Sequence, residues 1–135
     1  MKLCFVAALA VMSAVLVVPA RAHHSFNTFF DMSKTIAIEG VVTSFRLVSP
    51  HSEMLVDVPD AAGKPVIWRI TARTGAVNAR REGWKAEEFV GKKVKVEGNP
   101  SRREGGTAMT AGVVTFADSG RVVCLGGCPG GPPIE

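Results

Sequence analysis

The sequence predicts an all-β protein with one short helix, arranged as an OB-fold-like five- or six-stranded small barrel. Three observations predict it. Segments dense in β-branched and apolar residues recur along the chain, set apart by clusters of Gly, Pro, Asp and Ser. Only one region, between the third and fourth of these segments, has helical composition, so strands and helices do not alternate as an α/β fold requires. The resulting order, three strands, a helix and two further strands, is that of a five-stranded Greek-key barrel, whose closure removes exposed sheet edges. A half-open β-sandwich is the alternative.

Taken in order, residues 1–22 are predicted to be a signal peptide. Lys2 supplies the positive start, Leu3 to Val18 is almost wholly apolar, Pro19 closes the run, and Ala20-Arg21-Ala22 has the small-x-small pattern of a cleavage site. The run is shorter than the roughly 20 residues of a bilayer span, and no later segment could cross a membrane. Cleavage would leave 113 of the 135 residues, enough for one domain at 23–125, followed by a flexible Gly/Pro-rich tail at 126–135. Net charge falls from +4 to +2 as Lys2 and Arg21 leave. The remaining basic pairs, Arg80-Arg81, Lys92-Lys93 and Arg102-Arg103, are interspersed with glutamates. They describe a solvated mixed-charge surface better than a polyanion site.

Thr35 to Val48 is predicted to be a long first strand that bends or bulges at Gly40, ending at Ser49-Pro50-His51-Ser52. Met54 to Val58 and Val66 to Ala72 complete a meander around the turn Asp60 to Pro65, with Trp68 and Ile70 on one face. Ala76 to Glu82 and Lys85 to Phe89 make a short or broken helix interrupted at Gly83. Lys92 to Glu97 alternates with Val94 and Val96 inward, Asn99 to Gly106 is a surface loop, and Met109 to Phe116 is the next strand. After the turn Asp118 to Gly120, Arg121 to Leu125 adds a last short one. Phe26, Phe29 and Phe30 are expected to pin the start of the domain by burial in the core, and Trp68 and Trp84 are expected to be core residues.

The candidate chemistry is sparse. Cleavage after Ala22 would expose His23, whose amino and ring nitrogens together form a nitrogen pair suited to Cu(II). The chain has three histidines, so His23, His24 and His51 are the candidate metal ligands and copper the possible cofactor, with Met32, Met54, Asp31 or Glu53 as further donors. If Phe26 to Phe30 pairs with the first strand, His51 lies on the order of 20–30 Å from the terminus and the set does not close. Cys124 and Cys128 remain after cleavage and are expected to form a disulfide in an oxidising compartment. No nucleophile and base are arranged for catalysis. Ser25 beside His24 and Ser52 beside His51 are sequence neighbours only, and Glu87-Glu88 and Asp57 with Asp60 are surface or turn residues, which leaves a metal-dependent activity as the open alternative to a noncatalytic protein. Nucleic acid is not an expected partner, because tyrosine is absent and export separates the protein from it.

From His23-His24-Ser25-Phe26 onward the chain resembles a family of small exported bacterial proteins of uncharacterised function. The resemblance runs through Asp31, Glu39-Gly40-Val41-Val42, Ser49-Pro50-His51, Ile67-Trp68 and Arg81-Glu82-Gly83-Trp84. It continues in Gly91 to Gly98 and Asp118-Ser119-Gly120-Arg121. It implies periplasmic or secreted location and an OB-like barrel, and names no substrate; Cys124, Cys128 and the tail stand outside it. The reading that follows is an exported noncatalytic binding or accessory module, presenting Ser49 to Glu53 and Asn99 to Gly106 to a small ligand or a periplasmic protein. A periplasmic copper protein is the alternative.

Overall fold

A computed structural model describes residues 26–126. The expected signal peptide, His23, His24, Cys128 and the tail after residue 126 lie outside the described residues.

Six strands form one sheet: β1 (Ile36–Arg46), β2 (Glu53–Pro59), β3 (Pro65–Ala72), β4 (Lys93–Pro100), β5 (Ala108–Phe116) and β6 (Val122–Cys124). Their order is β3-β2-β1-β4-β5-β6, and a parallel pairing of β3 with β5 closes the first five into a barrel with β6 as the extra strand. The helical elements are α1 (Phe26–Phe29), α2 (Ala76–Arg81) and a 3₁₀ turn at Ala86–Glu88. Gly83 separates the last two at φ +75°, a left-handed conformation that a side chain would strain. Among the described residues no helix is long and apolar enough to cross a membrane.

Strand β1 serves two partners. Its first half pairs with β4 (Ile36↔Gly98 to Val41↔Lys93) and its second with β2 (Val41↔Asp57 to Arg46↔Glu53). Gly40 sits at this change of partner: a Cβ there would lie 2.2 Å from the Asp57 carbonyl oxygen, so the strands approach closely only because none is present. The bulge itself is not at Gly40. The register slips between Val42 and Ser44, and the buried residues Ile38, Gly40 and Val42 give way to Phe45, an alternation broken by one residue. Because side-chain direction has period two, the one-residue bulge is what returns Phe45 to the interior.

The core follows the predicted phases. Val94 and Val96 point inward, as do Ile70 and Ala72, with Trp68 half-buried against the same cluster and Trp84 buried. Phe45, Phe89 and Phe116 form an aromatic centre, with ring centroids 4.6 and 5.1 Å apart in succession. Burying each such ring stabilises the fold by about 1.5–3 kcal/mol.

The amino-terminal phenylalanines do not join this core. Phe26 and Phe30 are half-buried, Phe29 is 58% exposed, and α1 buries none of its residues. Nor does the segment run along β1. Phe30 bridges Ser101, the Asp31 N–H donates to the Pro100 carbonyl, and Asn99 donates to the Lys34 carbonyl. The backbone groups free at the β4–β5 end capture it. Asp31 to Lys34 forms a turn, with the Asp31 carboxylate accepting from Ser33 and pairing with Lys34 at 3.2 Å.

Candidate functional site

Where α1 crosses the barrel it covers a cleft of about 640 Å³. Phe26, Phe29 and Phe30 wall one side; Thr71 and Ala108 belong to the strands beneath; Arg69, Arg102 and Arg103 stand at its rim, and His51 at one end. The two loops singled out in the sequence both contribute, the first through His51 and the second through Ser101, Arg102 and Arg103. Strand register explains their meeting. Glu53 pairs with Thr71 and Ala108 pairs with Arg69, so the loops before β2 and before β5 both end beside the last turns of the pleat in β3.

Arg69 and Arg102 are each placed by a specific side-chain contact. The Arg69 Nε lies 3.1 Å from the Glu53 Oε1, while the other oxygen of Glu53 lies 3.6 Å from Arg46. The Arg102 Nε donates to the Asn27 carbonyl of α1 at 2.8 Å, tying loop to helix. Phe26 stacks on Phe30 with centroids 5.8 Å apart, and the Arg73 guanidinium lies 5.5 Å from the Phe26 ring centroid while donating to the Met32 sulfur. Asp31 is held below its ordinary pKa, first by the Ser33 hydroxyl and then by Lys34.

His51 is half-buried, and its ring meets the edge of Phe26 at 4.8 Å. Phe26 to Phe30 therefore does not pair with β1 as the expected separation assumed, and Phe26, two positions after His24 in the sequence, touches His51. The His51 Nδ1 lies 3.4 Å from the Arg73 carbonyl oxygen. A carbonyl only accepts, so that contact puts the hydrogen on Nδ1 and leaves Nε2 with its lone pair in the neutral ring. Among the described residues no three of His, Cys, Asp and Glu gather as a metal site.

The other expected donors have different work. Met54 is fully buried in the core, which removes it as a ligand, and Glu53 is engaged by two arginines. Ser52 is fully buried with its hydroxyl directed to the Val48 carbonyl and makes no pair with His51. Lys92 pairs with Asp118 at 2.7 Å and Lys95 with Glu97 at 3.1 Å, the mixed-charge surface that the sequence predicts. Sequence reasoning missed the aromatic wall and the part Arg69, Arg102 and Arg103 play beside it. Its one available signal was three phenylalanines within five residues ahead of the barrel, which burial rules assign to a core.

No curated protein and no solved structure matches the chain. A family model does, described as a family of unknown function (DUF6152), over residues 10–110, from before the expected cleavage point into β5. On that match the chain belongs to this family of unknown function.

Proposed function

We propose that the protein is exported across a bacterial inner membrane, trimmed between Ala22 and His23, and acts in the periplasm as a noncatalytic binding module whose ligand occupies the cleft under α1. The observation that carries this reading is the convergence of two separate loops and three phenylalanines on one concave surface of small-molecule size. Phe29 is left exposed beside the half-buried Phe26 and Phe30, which gathers apolar surface at the cleft. The signal-like pattern of residues 1–22 supports the location. An oxidising location favours a Cys124–Cys128 disulfide. Native mass spectrometry of protein isolated from the periplasm, beside Phe29→Ala, tests the reading. A small-molecule adduct carried by the wild type and lost in the variant is the expected result; bare spectra for both, with indistinguishable strains, would refute it.

A second reading, a copper protein, is favoured by the contact between Phe26 and His51. His24 stands two residues and His23 three residues before Phe26, chain lengths of at most about 7 and 11 Å, short enough to permit a site shared with the His51 Nε2. Holding the other ring nitrogen on a backbone carbonyl, as Arg73 does, is the usual way a ligand imidazole is oriented. Cu(II) titration calorimetry on processed protein, on protein bearing one additional amino-terminal residue, and on His51→Ala decides it. Tight binding lost in both altered proteins is expected; equal affinity in all three would eliminate the site.

A further inference from the structure

We infer that the cleft selects a small organic anion, an aromatic or aliphatic body carrying one carboxylate, with the body against the phenylalanines and the carboxylate at Arg102 and Arg103. The inference rests on the reading of the cleft as the binding site and adds the chemical class of its ligand.

Charge complementarity is the argument. Among the described residues lining the cleft there are three arginines and a histidine, and no aspartate or glutamate. Glu104, the nearest acid in sequence to the rim, lines an adjoining groove that Arg69 and Arg103 also line, and it makes no ion pair among the described residues. Arg69 is committed to Glu53, whereas neither Arg102 nor Arg103 makes an ion pair among the described residues. The bond from Arg102 Nε to the Asn27 carbonyl fixes that guanidinium at the mouth and leaves its terminal N–H groups to donate. Such planar forks match a carboxylate with two parallel hydrogen bonds. The phenylalanine wall supplies a surface with no charge to satisfy, so a small polar anion lacks a partner there and a neutral apolar molecule leaves the arginines unused.

The two guanidinium groups are solvent-exposed, which limits what they add. Apolar contact therefore sets whether a ligand binds, and the arginines set which ligand. The preference for an acid over its matching alcohol should be about tenfold, the lower end of what a charge-assisted hydrogen bond contributes.

A fatty acid and a soluble aromatic acid share this chemistry, so the test carries an arm for each. Isotopically labelled protein, processed by the cell and purified from the periplasm, is titrated with octanoate and octanol and with cinnamate and cinnamyl alcohol while backbone amide shifts are followed. The expected result is saturable movement of Thr28, Phe29, Ser101 and Ala108 with at least one acid, about tenfold tighter than with its alcohol. The acid that does so identifies the source. The double variant Arg102→Gln, Arg103→Gln should bring the acid's affinity down to that of its alcohol measured in the same variant, with unchanged tryptophan fluorescence reporting the fold. Equal affinity for acid and alcohol at the same residues overturns the anion preference while sparing the binding cleft. No movement of those residues with any of the four compounds overturns both.

Discussion

Replacing Gly40 by alanine tests whether the barrel closes through the close approach of β1 and β2. The new Cβ would stand 2.2 Å from the Asp57 carbonyl oxygen and 2.8 Å from a Val56 methyl, where contacts under 3.0 Å are essentially never seen. The strands would have to part by nearly 1 Å against a normal spacing of about 4.8 Å. That disturbs the pairs Val41↔Asp57 and Val42↔Val56, beside the bulge. Two weakened ladder hydrogen bonds at about 1 kcal/mol each, with at least about 1 kcal/mol of overpacking, give a loss of roughly 3 kcal/mol. For a domain of this size that lowers the melting temperature by roughly 10–20 °C. Gly112 supplies the control within the same sheet. Its added Cβ meets the Glu97 carbonyl at 3.4 Å, an ordinary contact, and it has no left-handed φ, so Gly112→Ala should be neutral or stabilise by up to about 1 kcal/mol. Thermal unfolding followed by circular dichroism, with urea titration for the free energies, compares the two. Melting points within a few degrees of each other would refute the claim that closure depends on a missing side chain at Gly40.

Further outcomes follow from the same geometry. Phe89→Ala removes the central ring of the buried aromatic trio and should cost about 3–5 kcal/mol, whereas Phe29→Ala should change stability by no more than about 0.5 kcal/mol; comparable losses in urea unfolding would contradict the separation of core from cleft wall. Thr110 is buried in β5 with a hydroxyl that has no hydrogen-bond partner among the described residues, so Thr110→Val should raise stability by about 1 kcal/mol, and a lower melting point would show that the hydroxyl is used. Asp118 is held below its ordinary pKa of 3.8, chiefly by the hydrogen bond from Lys92. A depressed folded-state pKa contributes stability that is present above the unfolded value and lost as pH falls through the folded value. Carboxyl carbon shifts should therefore place the Asp118 midpoint below 3.8 and move it upward in Lys92→Gln. A midpoint unmoved by that substitution would remove Lys92 as the cause.

What the sequence disclosed, it disclosed through local rules. Alternation gave the phase of β4 from Val94 and Val96, and turn chemistry placed the break between β2 and β3, where Asp60 accepts from the Ala62 and Lys64 N–H groups. The broken helix was legible because Gly83 interrupts a run of helix formers. Gly40 was marked as unusual for its residue type, but the bulge fell at Val42 to Ser44, because type alone does not distinguish a close approach from an inserted residue. The amino-terminal segment was misplaced for a different reason. Phenylalanine predicts burial on average, yet the backbone bonds from Asp31 to Pro100 and from Arg102 to Phe29 hold α1 on the outside of a barrel already filled by Phe45, Phe89 and Phe116.

The cleft was illegible because it is a property of closure. The loop carrying His51 and the loop carrying Arg102 and Arg103 are half the domain apart in sequence, and neither has a motif that names the other. They meet because β3 is paired on both sides: β2 sets His51 two residues before the partner of Thr71, and β5 sets Ala108 opposite Arg69. Two strand residues separate these positions, roughly 7 Å at 3.3 Å per residue, which fixes the spacing of the loops. Only the parallel pairing of β3 with β5, which has no hairpin to announce it, supplies the second constraint. A change that opened this seam would separate the arginines from His51 even if every side chain in the cleft were kept. The proposed binding surface therefore depends on the same closure that Gly40 permits, and Gly40→Ala should weaken the proposed ligand binding at temperatures below its own melting point.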